Sequence, residues 1–178
     1  MGARVMARVS NGLGGFATAN YNLVLILPTP TFAQAACLPV AYITAYYALA
    51  YLGRLTSGGS VLIHSVGGGV GIAAIQIARL LGARVFAKVG SPARRARVPE
   101  MGVDAVFDSR SLSFHDEVKI ATRNLGVDVM LNSLTGSRLS QSVAFLPPFG
   151  RFLETGKTDS YRNMSLVSSI LARIVHSL

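Results

Sequence analysis

The chain has 178 residues, 51% of them apolar and 14% charged, which supports a packed core of about one domain and excludes an intrinsically disordered polypeptide. Its net charge of +9 is spread along the sequence without a basic stretch interleaved with aromatics, so nucleic acid is not an expected partner. A single cysteine, Cys37, excludes a disulfide framework and a Cys-rich metal site, and His64, His115 and His176 lack the short spacings of a zinc centre.

The first elements are short. Residues 3–7 and 21–27 read as β patterns separated by the Gly-rich segment 11–15, and Pro28-Thr29-Pro30 then breaks the chain. Thr31 is placed to cap a short helix through Ala36. From Ala35 to Leu52 the chain is uncharged for 18 residues, which raises the question of a membrane span. Pro39 and the tyrosines Tyr42, Tyr46, Tyr47 and Tyr51 argue against one. A buried helix over 39–52, with proline in its first turn and Gly53 near its end, accounts for the run. The N-terminus has no cationic region followed by a signal core, and Met1-Gly2 lacks the hydroxyl residue of a myristoylation signal. A soluble, cytoplasmic protein without a membrane partner is the expectation.

A stricter rhythm follows. Strands are expected at 60–65, 84–88, 103–107, 127–131 and 149–154, and helices at 70–81, 92–101, 112–124 and 136–145. Strand and helix in alternation with short links define a doubly wound parallel sheet of the α/β class. The first strand runs into Val66-Gly67-Gly68-Gly69-Val70-Gly71 and then a helix-forming run. That order delivers unpaired N–H groups and the positive helix end to a dinucleotide pyrophosphate, and glycines let the ligand approach the backbone. Ser65, Gly67, Gly68, Gly69 and Val70 are therefore candidate cofactor contacts. Val66 takes the place of the first glycine of G-x-G-x-x-G, so ordinary dihedrals are expected there. An acidic residue about 20 positions on would hold the ribose 2′-hydroxyl of NAD. Lys88, Ser91 and Arg94 stand there instead, followed by Arg95. Cations with a hydroxyl suit a 2′-phosphate, so NADPH is expected over NADH. The tail, Met164 to Leu178, is apolar and stops without a terminating signal, which reads as a cut end.

Several segments together resemble one family. They are LPVAYITAYYAL (38–49), SVLIHSVGGGVGIAAIQIA (60–78), GVDVMLNSL (126–134) and GRFLETGKTD (150–159). The chain is similar to the enoyl reductase domain of type I polyketide synthases and animal-type fatty acid synthases. That domain belongs to the zinc-free, quinone-oxidoreductase-like branch of the medium-chain dehydrogenase/reductase superfamily. The resemblance implies that 1–37 is the remnant of a substrate-side β-barrel domain. Residues 38–178 are then a Rossmann-like NADPH-binding domain truncated at its C-terminal end. It also implies reduction of a trans-2-enoyl thioester carried on an acyl carrier protein, among other domains of one synthase and in a homodimer.

By the same resemblance Lys157, after Gly156, matches the family's proposed proton donor, whose aspartate partner would fall beyond Leu178. Such a truncated piece is expected to be inactive alone. Asn132 and Ser133 match a turn beside the nicotinamide, Gly156 a cofactor contact, and Thr44 a contact near the cofactor phosphates and ribose. Arg94 replaces the family's lysine, Val66 and Gly67 replace small residues that are usually alanine, and Ala3 replaces an aspartate. A discrete NADPH:quinone oxidoreductase and a catalytically silent scaffold domain are the alternative readings.

Overall fold

The computed structural model describes residues 2–7, 9, 12, 14–26, 29–64, 66–108, 111, 113–133, 146–155 and 175–177. The chain opens with a two-stranded antiparallel ribbon, β1 (Val5–Ala7) against β2 (Val24–Ile26). Helix α1 (Phe32–Tyr46) follows and continues as wider π-helical turns over Tyr47–Leu52. Then come β3 (Ser60–His64), α2 (Gly69–Leu80), β4 (Arg84–Val89), α3 (Pro92–Arg95), β5 (Ala105–Asp108), α4 (Phe114–Ala121), β6 (Val129–Asn132), β7 (Arg151–Glu154) and β8 (Val175–Ser177). The strands after the ribbon form one parallel sheet in the order β5-β4-β3-β6-β7-β8. The chain winds outward from β3 to β5 and returns to β6 on the other side of β3. The carboxyl ends of β3 and β6 therefore flank a topological switch point, where open α/β sheets bind ligands.

Both sheet faces are covered, which is why the strands read as apolar runs. Val61, Ile63, Val85, Ala87, Val89 and Leu131 face one core with Ala73, Ala74, Ile75, Ile77 and Ala78 of α2 and Ala45, Ala48 and Leu49 of the first helix. Leu62, Phe86, Met130 and Phe152 alternate to the opposite face, against Phe107, Phe114 and Val118. There the Phe107 and Phe114 rings meet edge to face at 5.9 Å. At the C-terminus of α2, Gly82 adopts φ +75°, and a Cβ there would come within 2.8 Å of Ser57 Oγ. The turn into β4 thus requires glycine.

Three expectations change. The helix expected to begin at Pro39 begins at Phe32. Thr31 Oγ1 accepts from Gln34 N at 3.2 Å while Gln34 Oε1 accepts from Thr31 N at 2.9 Å, and this capping box carries the helix through Pro39. The helix is also not buried all round. Ala35, Ala45, Ala48 and Leu49 are buried, but Val40, Ile43, Tyr46 and Tyr51 are exposed, because only one face packs on α2. Phe32–Leu52 is long and apolar enough by composition to cross a membrane. Here its small-residue face lies on α2, where the Tyr42 hydroxyl bonds Gln76. The helix expected over 92–101 stops at Arg95 and resumes as a 3-10 turn at Pro99–Met101, since Pro99 has no N–H to continue it. Strand β8 forms in a tail that the sequence pattern does not mark, and the helix expected at 136–145 lies outside the described residues.

Candidate cofactor site

β3 is buried along its whole length and runs into the turn at Val66–Gly68, with Val66 1% exposed. Val66 takes an ordinary negative φ, as expected, and so do the glycines of the turn. What the glycines contribute is the missing Cβ. Nothing lies within 4 Å of a Cβ built on Gly68, and at Gly69 only Ala41 Cβ is near, at 3.7 Å. Gly68 is the N-cap of α2 and offers no side-chain acceptor; the first helical bond runs from Ile72 N to Gly68 O at 3.1 Å. The first amides of α2, including that of Val70, therefore face an open space with no side-chain cap. This is the geometry that receives a phosphate.

The cations near this turn divide. Arg95 is paired with Asp108, Nη2 to Oδ2 at 2.5 Å. Arg94 is exposed and lies against Gly67: a Cβ there would stand 2.5 Å from Arg94 Cδ and Nη1. Ser91 is the N-cap of α3, and its hydroxyl makes no capping bond. Lys88 departs from expectation. It shares the parity of Phe86 and so points to the opposite sheet face, where it is 4% exposed with Nζ 3.5 Å from the Phe114 ring centroid. A buried ammonium over an aromatic ring is not placed for a ribose 2′-phosphate at the crevice mouth.

Lys88 belongs instead to a row that the sequence pattern does not reveal. Register aligns Lys88 with His64, and Asn132 with Glu154, at the carboxyl ends of adjacent strands. All four are buried. Burial pushes the His64 pKa down to about 3, reinforced by the Lys88 charge, so the imidazole is neutral; neither ring nitrogen has a hydrogen-bond partner. Asn132 Nδ2 donates to Glu154 Oε2 at 2.6 Å, Ser133 Oγ donates to the His64 carbonyl at 3.4 Å, and Thr155 Oγ1 donates to the Asn132 carbonyl at 2.8 Å. The ends of β3, β6 and β7 are thus tied together. Thr44 lines a groove of about 380 Å³ between α1 and β1, with Val9, Pro39 and Ile43 among its neighbours. Ser65, Gly156 and Lys157 lie outside the described residues. Glu154 is the site residue that sequence reasoning misses; a carboxylate closing the apolar run of 152–153, in register with Asn132, is the available signal.

A parallel sheet with an uncapped helix N-terminus at its switch point defines a nucleotide-binding α/β domain. The chain belongs to the zinc-binding dehydrogenase family, within the medium-chain dehydrogenase/reductase superfamily; that family's model matches residues 69–175. It is 45% identical over 177 residues to a phenolphthiocerol/phthiocerol polyketide synthase subunit of Mycobacterium tuberculosis, covering 97% of this chain and 8% of that protein. Among solved structures it resembles the CurK enoyl reductase, with a TM-score of 0.83, 36% identity, and coverage of 92% of this chain and 49% of the other. It also resembles the nucleotide-binding subdomain of the enoylreductase domain of PpsC from M. tuberculosis, with a TM-score of 0.70, 44% identity, and coverage of 78% and 79%. The chain therefore spans a small part of its curated relative and about half of CurK. Despite the family's description, no group of three or more His, Cys, Asp or Glu among the described residues is arranged to hold a metal ion.

Proposed function

We propose that this chain is the cofactor-binding part of an NADPH-dependent enoyl reductase that reduces a trans-2-enoyl thioester on an acyl carrier protein within a polyketide synthase. The observation that carries the reading is the open, uncapped start of α2 at Gly68, beside an arginine that no carboxylate neutralises among the described residues. Similarity to enoyl reductase structures supports the reaction class. When bound, NADPH supplies hydride to the β-carbon, and the α-carbon takes up a proton as the double bond is consumed.

The chain's own residues bind and orient. Amides of the turn from Ser65 through Gly67, Gly68, Gly69 and Val70 hold the pyrophosphate, while Ser91 and Arg94 hold the 2′-phosphate. Asn132 and Ser133 border the nicotinamide, held in place by Glu154 and the His64 carbonyl. Gly156 and Thr44 complete the cofactor contacts. Lys157, just beyond β7, presents its charge to the thioester oxygen, where negative charge develops. Residues 1–37 belong to the barrel side and 38–178 to the cofactor side of a cytoplasmic, homodimeric module joined to other synthase domains.

In the full-length protein, Lys157→Ala should slow NADPH oxidation by an enoyl-pantetheine substrate by at least about a hundredfold. The NADPH Kd should stay within about twofold, as expected for a group that acts on the transition state. An unchanged rate would remove Lys157 from the mechanism.

A further inference from the structure

Two departures from the family pattern, Gly67 and Arg94, meet in space. A methyl group on Gly67 would stand 2.5 Å from Cδ and Nη1 of Arg94 and 2.9 Å from Cζ, well inside van der Waals contact. Those are its three nearest neighbours, and all belong to one flexible side chain. Gly67 has a negative φ, so no backbone requirement demands glycine there. The glycine is needed only if the guanidinium is to lie across the turn.

We infer that Gly67 is a specificity-determining positioning residue: its bare backbone seats the Arg94 guanidinium across the pyrophosphate turn, and this seat sets the preference for a 2′-phosphorylated dinucleotide. The inference rests on the NADPH reading above and adds the residue that makes it selective. Charge distribution agrees. The adjacent arginine, Arg95, is neutralised by Asp108, whereas no carboxylate pairs with Arg94 among the described residues. An arginine packed on backbone loses less freedom on binding an anion than one that moves freely in solvent, and its planar fork stays aimed at the phosphate. Alanine at 67 would leave the charge but lift the fork off its seat.

The test is a double-mutant cycle in the full-length protein, with NADPH and NADH titrated by calorimetry into wild type, G67A, R94A and G67A/R94A. G67A should weaken NADPH by about tenfold and leave NADH within about twofold, since the lost contact is to the 2′-phosphate. In the R94A background, G67A should change neither affinity, because nothing remains to displace. Effects of G67A and R94A that simply multiply would overturn the pairing, as would equal weakening of NADPH and NADH by G67A. A wild-type protein that binds both cofactors equally would instead overturn the NADPH reading itself. The G67A melting temperature should match wild type; a fall would show that the methyl meets fixed structure and would overturn the seat.

Discussion

The two ends of the parallel sheet treat polar groups in opposite ways. At the amino end, the carboxylates of Asp128 and Asp104 are engaged by backbone. Asp128 Oδ2 accepts from Ser60 N at 2.8 Å and Ser60 Oγ at 2.7 Å, and Asp104 Oδ2 accepts from Val85 N at 2.7 Å. These bonds pin the starts of β3 and β4. At the carboxyl end, α2 begins without a cap, Arg94 lies across a glycine turn with no carboxylate opposite among the described residues, and the His64 ring is buried without a hydrogen-bond partner. One end commits its polar groups to the fold, and the other keeps donors and charge in reserve. Native structures rarely leave polar groups in that state without a functional reason.

The largest expected effect separates the ends by ligand affinity. Gly68→Val places a branched side chain in the open space over the helix start, in a backbone conformation (φ −99°, ψ 165°) that valine adopts easily. NADPH affinity should fall on the order of a hundredfold while the melting temperature holds, because the bulk displaces ligand and not protein. Retained affinity in a titration would mean the cofactor does not approach this turn. The converse change is Asp128→Ala, which strips the acceptor from the buried Ser60 N–H. Chemical denaturation should register a loss of about 2 kcal/mol, with the NADPH Kd unmoved. If that variant bound NADPH more weakly in proportion to its lost stability, the two ends would not be separable.

Much of this division is legible in the sequence. The alternation of strands and helices, the glycine turn after β3 and the absence of an acidic residue after β4 are local patterns, and local patterns place elements well. The rest needs a second dimension. Lys88 stands near the end of its strand, which suggests a side chain facing the cofactor; its parity with Phe86 sends it to the other face, and that parity is itself a sequence property. The Asn132–Glu154 pair depends on which strand lies beside β6, and β7 is its neighbour only through a long crossover. Pro39 obscures the full extent of α1, since a proline within a helix reads as a start when a stronger cap lies earlier in the chain, at Thr31.

The smallest expected effect sharpens the contrast through pH. In the unfolded chain His64 takes a proton near its ordinary value of 6.5, whereas in the folded chain burial and the Lys88 charge hold protonation off until about pH 3. Between these values the unfolded state binds the proton first, so stability falls as pH falls through that window and this residue contributes no slope above it. By about pH 5.5 the loss from this residue is about 1.4 kcal/mol, growing by roughly the same amount for each further unit down. Urea unfolding of wild type and His64→Gln at a series of pH values isolates this contribution, because the other titrating groups are common to both. Glutamine removes the proton site, so the difference in stability between the two proteins should be constant above the ordinary histidine value of 6.5 and shift in favour of the variant below it. A difference that stays constant down to about pH 4 would mean that the ring is hydrated or charged in the folded protein. The carboxyl end of the sheet would then hold no unsatisfied imidazole, and the contrast with the amino end would rest on the helix start and Arg94 alone.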